Sequence, residues 1–100
     1  MEFHLKVAGV TFEGRQAIVR NLNIGERLYF VPEPTNPYDP HAVNILTEHN
    51  QSVGYIPREH NYQIFMNLMN GNGTYEVSVS SITGGGFNQN YGCNILVRYY

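Results

Sequence analysis

Thr35-Asn36-Pro37-Tyr38-Asp39-Pro40-His41-Ala42-Val43 is the stretch on which the reading of this chain turns. Asn-Pro initiates a turn and Asp-Pro ends one. Together with Pro32 and Pro34, its prolines bar helix and central strand from the region around Pro32–Pro40. On one side Leu28-Tyr29-Phe30-Val31 reads as a strand, and on the other Ala42-Val43-Asn44-Ile45-Leu46 does the same. A rigid loop between two strands is therefore the nucleus of a β-rich domain.

Working outward, Phe3-His4-Leu5-Lys6-Val7 alternates apolar and polar residues, the mark of a half-buried strand that continues through Ala8-Gly9-Val10. Ile18 and Leu22 stand four apart, which predicts a short helix over residues 15–22, and Gly25 supplies a stop. Beyond Leu46, the polar run from Thr47 to Ser52 turns the chain into Val53-Gly54-Tyr55-Ile56, a hairpin partner. Pro57 precedes a helix over residues 58–70, in which Tyr62, Phe65, Met66 and Met69 recur at helical spacing. Asn70-Gly71-Asn72-Gly73 stops it. Two last strands follow, residues 74–82 with Tyr75, Val77 and Val79 on one face, and residues 93–100 with Cys93, Ile95, Val97 and Tyr99. Residues 83–92 between them form a flexible loop carrying Phe87 and Tyr91. The predicted fold is mainly β: a small OB-like six-stranded barrel or curled sheet with two short α-helices, because closure removes exposed edges.

One hundred residues make a single domain, residues 1–100, with neither linker nor repeat. Such a chain buries roughly 60–70% of its unfolded surface, enough for one core without metal or disulfides. Six basic residues against 8 acidic ones give a net charge of -2, so no global positive field draws in nucleic acid or anionic membrane. The longest apolar runs, such as Leu28–Val31, fall far short of the ~20 residues that span a bilayer. Met1-Glu2-Phe3-His4 lacks the cationic-then-apolar opening of a signal peptide, so a cytoplasmic location is expected.

Catalytic motifs are absent. Gly84-Gly85-Gly86 has no following Gly-Lys-Ser/Thr to make a P-loop, and no Gly-x-Ser-x-Gly elbow occurs. Cys93, the only cysteine, lies in an alternating strand, where a thiol is ordinarily a small core residue. Asp39, His41, His49 and His60 hold no i, i+4 pair of histidines, and scattered solvated histidines outweigh a metal site. The chain is expected to be a binding module without cofactor or metal rather than an enzyme.

The unusual feature of the proline-rich loop is Tyr38 between two prolines. Pro37 and Pro40 restrict the backbone, so Tyr38 and Asp39 have little entropy left to lose on binding. A ring stacks on a base, and the neighbouring carboxylate accepts a hydrogen bond from a sugar hydroxyl. The competing reading is structural: Tyr38 caps the core and Asp39 makes an Asx-turn.

Val7-Ala8-Gly9-Val10, the Asn-Pro-Tyr-Asp-x-x-Ala-Val block at residues 36–43, and Val53-Gly54-Tyr55-Ile56-Pro57-Arg58 together resemble the HIRAN domain over nearly the whole chain. The resemblance implies an OB-like β-barrel with helical additions that binds single-stranded DNA at a free 3′ end. It implies that Tyr38 stacks on the terminal base, that Asp39 meets the 3′-hydroxyl, and that Phe12 holds the same base. Arg58 matches a phosphate-contacting cation after the Val-Gly strand, and Tyr55 matches a groove-lining position. Tyr91, with Phe87 as substitute, matches a late-loop aromatic that supports the next base.

Two positions depart from the end-binding pattern. Thr11 stands where an Arg precedes the second aromatic, and Pro57 where another cation occurs. With fewer phosphates neutralised, binding is expected to be weak and modestly salt-dependent. Arg15, Arg20 and Lys6 compensate only if they share the groove rim; ordinary solvated surface is the expectation for them. RNA is the other polymer such a groove accepts, since no 2′-hydroxyl reader is identifiable. The alternative to nucleic-acid binding is a protein-interaction or self-assembling module, a homo-oligomer joined through strand edges near Tyr99-Tyr100.

Overall fold

The computed structural model describes all residues, 1–100. In chain order the elements are β1 (Glu2–Lys6), α1 (Arg15–Val19), β2 (Arg27–Glu33), β3 (Ala42–Leu46), β4 (Ser52–Tyr55), α2 (Arg58–Asn70), β5 (Tyr75–Gly84) and β6 (Tyr91–Tyr99). The six strands form one antiparallel sheet in the order β1-β6-β5-β2-β3-β4. It is curled but not closed. Just past β1, Ala8 meets Tyr55 of β4 in a single antiparallel bridge, with Ala8 N–H on the Tyr55 carbonyl at 2.8 Å and the reverse bond at 2.9 Å. Gly54 makes that approach possible. A Cβ there would strike the Ala8 carbonyl oxygen and come within 2.6 Å of Val7 Cγ1.

The core is the inward-facing row of the strands. Val77 and Val79 of β5 and Cys93, Ile95 and Val97 of β6 are buried together with Leu28, Val43, Ile45 and Val53. Their alternation is the predicted one, and Tyr75 and Tyr99 close its outer end with ring centroids 4.7 Å apart. Cys93 is fully buried in this core, and that burial pushes its thiol pKa up to about 11.

Several boundaries differ from the sequence reading. Helix α1 ends at Val19, and residues 20–22 continue only as tight turns, with Ile18 and Leu22 half-buried against the core. Pro32 is paired after all, opposite Val43 in β2–β3. This is tolerated because β2 touches β5 only at Arg27 and Leu28, so beyond them Pro32 has strand pairing on one side alone. The loop predicted over residues 83–92 shrinks to residues 85–90, since Thr83–Gly92 and Gly84–Tyr91 are ladder pairs. In α2 the buried face is Asn61, Ile64 and Phe65, whereas Tyr62 and Met69 are exposed. Phe65 and, half-buried, Met66 do pack on the core, and the inward-facing Asn61 is satisfied by a hydrogen bond to Asp39.

The strand ending in Tyr99-Tyr100 offers no edge for self-assembly. β6 is flanked by β1 and β5, Tyr99 exchanges backbone bonds with Met1, and Tyr100 does so with Thr74. The sheet's terminal strands are β1 and β4. No helix is long and apolar enough to cross a membrane.

Candidate nucleic-acid interface

A groove of about 760 Å³ opens between the segment after β1 and the loop joining β2 to β3. Gly9, Phe12 and Glu13 line one wall, Pro37, Tyr38 and Asp39 the other, with Tyr55 and Ile56 at the base and Arg58 at the mouth.

The Tyr38 wall is built locally. Asn36 Oδ1 accepts from the backbone N–H of Tyr38 at 2.8 Å and of Asp39 at 3.1 Å. Asp39 Oδ1 in turn accepts from His41 N–H at 2.9 Å. These are two consecutive Asx-turns, the hydrogen-bonded form that Asn and Asp give to loops. With Pro37 and Pro40 restricting the intervening backbone, Tyr38 projects 84% exposed. It does not cap the core. Asp39 does make its Asx-turn, so half of the structural reading is correct.

Asp39 is held from below and from the side. Asn61 Nδ2 donates to Oδ2 at 2.8 Å, and Arg58 Nε lies 3.6 Å from the same oxygen. Arg58 also donates through Nη2 to the Tyr38 carbonyl at 2.6 Å. The Asp39 side chain nevertheless keeps 17% of its surface open. A carboxylate has about four lone-pair sites, so a further donor is accommodated.

Under the groove runs a polar network that the sequence gives no sign of. Glu33 Oε1 accepts from Tyr55 Oη at 2.8 Å and from Asn36 Nδ2 at 3.0 Å, while Oε2 accepts from Asn44 Nδ2 at 3.0 Å. Asn44 Oδ1 accepts from Ser52 Oγ, which accepts from Arg15 Nε. No buried side-chain nitrogen or oxygen is left without a partner. Burial works against ionisation of Glu33, but the bonds from Asn36, Tyr55 and Asn44 and the charge of Arg15 outweigh it, so its pKa is lowered. For Tyr55, burial and then the bond to Glu33 act together and push its pKa up to about 12.

Five of the seven anticipated site residues share this groove: Phe12, Tyr38, Asp39, Tyr55 and Arg58. Phe12 is exposed at the rim. Thr11 is exposed beside it but lines no part of the groove. Tyr91 also lies outside: it begins β6, packs against the core and covers Gly85 with its ring. Its backbone is clamped by Gln16, which accepts from Tyr91 N–H at 2.7 Å and donates to its carbonyl at 3.0 Å. Phe87 sits on the loop tip at 94% exposure, likewise outside the groove.

Arg15 corrects the expectation of solvated surface. It is buried, lines the groove, and stacks over the Tyr55 ring 5.1 Å from its centroid. Lys6 and Arg20 are exposed and lie elsewhere. No three His, Cys, Asp or Glu residues cluster at metal-binding range.

The HIRAN domain family profile matches residues 1–100, the whole span of the groove and its supports. The chain belongs to the HIRAN domain family. Its fold agrees with that of solved relatives. The HIRAN domain of human HLTF superposes with a TM-score of 0.77 at 19% identity, covering 98% of this chain and 74% of that one. A protein from Lactobacillus plantarum does so with a TM-score of 0.69 at 18% identity, covering 98% and 99%. No curated protein matches the chain by sequence. At these identities the shared property is the curled, OB-like sheet of the HIRAN domain, and the groove residues have to be argued from this chain's own geometry.

Proposed function

We propose that this HIRAN domain binds the 3′ end of single-stranded DNA in the groove, without catalysis. Family membership supports a DNA-binding module. The observation that carries the finer reading is the pair Tyr38–Asp39: an exposed ring on a proline-braced, twice Asx-turned loop, directly followed by a carboxylate open to the groove.

In this reading the terminal base stacks on Tyr38, with Phe12 on the facing wall. The 3′-hydroxyl donates to Asp39, and Arg58 at the mouth faces a backbone phosphate. Asp39 serves as an acceptor because Asn61 and His41 N–H fix its two oxygens in place before the ligand arrives. Stacking contributes ~1–3 kcal/mol per base. Phe12 and Tyr38 are the groove's two rings for one base, while Tyr91 and Phe87 lie outside it, so stacking alone supports only weak binding, about millimolar at best. The groove offers Arg15 and Arg58 against Glu13 and Asp39, so it lacks the positive excess that would add strong phosphate binding. Stacking and the hydroxyl bond are therefore the main terms.

The test is a titration of two short oligonucleotides of one sequence, ending in 3′-hydroxyl or 3′-phosphate. Tighter binding of the hydroxyl form supports the assignment of Asp39. Equal binding removes it.

A further inference from the structure

Arg15 is the one buried cation of the chain, only 6% exposed, and the Tyr38–Asp39 reading makes no use of it. A guanidinium taken out of water needs a compensating charge. Its donors go to Ser52 Oγ at 3.1 Å, to the Gly9 carbonyl at 2.9 Å and to Glu13 Oε2 at 3.3 Å. The first two partners are neutral and belong to the scaffold. Glu33, the other carboxylate whose charge couples to Arg15, is engaged by Tyr55, Asn36 and Asn44.

Glu13 is different in kind. Its side chain is 81% exposed, and this long contact to Arg15 is its single side-chain bond. Its backbone sits at φ 55°, a left-handed conformation that favours Gly or Asn over Glu, so local preference does not place it there. The contact lies in the groove, which both residues line. A Cβ built on Gly9 would meet Arg15 Nη1 at 3.3 Å and Phe12 Cδ2 at 3.9 Å, so the guanidinium edge and the aromatic wall sit over the same glycine. A nucleotide held by Phe12 would bring its phosphate to that edge.

We propose that Arg15 receives a backbone phosphate of the bound strand and that Glu13 is the carboxylate this phosphate displaces. The inference rests on nucleic-acid binding in the groove, though not on recognition of the 3′-hydroxyl. Glu13 occupies the phosphate position in the unliganded protein, keeps the buried cation neutralised, and lowers affinity by the strength of its own ion pair. Arg15 thereby supplies a phosphate contact where Thr11 supplies none.

The experiment compares wild type, Glu13→Gln and Glu48→Gln in fluorescence-anisotropy titrations with a six-nucleotide oligothymidylate. Glu48 is an exposed acid outside the groove, so its replacement makes the same change of net charge. The pair is long and its carboxylate partner is 81% exposed, so its hold on Arg15 is weak. Glu13→Gln should therefore tighten binding about two- to fivefold, with Glu48→Gln close to wild type. Replacing the phosphates one at a time by methylphosphonate should abolish the gain at one position. Equal effects of the two substitutions, or a gain indifferent to every methylphosphonate, overturn the proposal. The oligonucleotide is used in 3′-hydroxyl and 3′-phosphate forms. Equal affinity of the two forms tells against Asp39 and leaves the Glu13→Gln comparison intact. Absence of binding by all three proteins overturns both assignments.

Discussion

Asn61 of α2 donates a 2.8 Å hydrogen bond to Oδ2 of Asp39, tying a buried helix residue to the carboxylate at the groove wall. The bond joins the fold to the site. It satisfies the polar residue on the face of α2 that Ile64 and Phe65 bury, and it leaves Asp39 with a fixed direction. Leaving a buried polar group without its partner costs about 1–3 kcal/mol. Asn61→Leu should lower stability in urea unfolding by about that much, while Tyr62→Ala, on the exposed side of the helix, should cost less. The same Asn61 substitution should also reduce the preference for a 3′-hydroxyl.

Tyr38→Ala separates function from stability. The side chain is solvent-exposed, so the urea midpoint should stay within about 0.5 kcal/mol of wild type. Losing a stacking platform costs ~1–3 kcal/mol, a drop of roughly five- to 150-fold in oligonucleotide affinity. That drop should be alike for all terminal bases. A large stability loss with unchanged binding would return Tyr38 to a structural role.

The Glu33–Tyr55 pair predicts two limbs in stability against pH. Glu33 has a folded pKa below its usual 4.5, so its contribution is present above that value and is lost as the pH falls through the folded pKa. Tyr55 has a folded pKa raised from 10.0 to about 12, so its contribution is present below pH 10 and is lost as the pH rises towards 12. Tyr55→Phe should remove the alkaline limb and weaken the acid one, because Glu33 loses one of its donors. Urea unfolding across roughly pH 3–5 and roughly pH 10–12, the two windows, measures both limbs.

Gly54→Ala tests the bridge that holds the groove's base to its wall. The residue sits at φ 150° and faces the Ala8 carbonyl and Val7 Cγ1, so any Cβ must push the segment after β1 away from β4. A loss of more than about 2 kcal/mol is expected, in the range of the severe backbone and overpacking effects. Weaker oligonucleotide binding should accompany it, since Ala8 and Tyr55 both line the groove.

Local patterning made much of the fold legible. Alternation in Tyr75–Val79 and Cys93–Val97 marked the buried rows, and Asn70-Gly71 marked the end of α2. The Asn36–Asp39 loop was legible too, because its Asx-turns and prolines act within a few residues. What stayed hidden depends on contacts distant in sequence. Arg15 is buried with Ser52, 37 residues away, accepting from its guanidinium and the Tyr55 ring beneath it. Tyr91 looked like a loop aromatic, but pairing with Gly84 and the clamp from Gln16, 75 residues earlier, make it a strand residue. The apolar spacing of α2 pointed to Tyr62, Phe65, Met66 and Met69; Phe65 and Met66 do pack on the core, whereas Tyr62 and Met69 are exposed and the polar Asn61 is buried through its bond to Asp39.

Asp39 as acceptor for a terminal 3′-hydroxyl is the central claim, and a matched pair of oligonucleotides tests it most directly. Arg58, 3.6 Å from Asp39 Oδ2, softens the repulsion of a 3′-phosphate, so the decisive comparison includes Asp39→Asn. The account predicts that wild type prefers the 3′-hydroxyl strand over the 3′-phosphate strand and that Asp39→Asn loses most of this preference. Equal affinity of wild type for both strands, or a preference unchanged in Asp39→Asn, would contradict it.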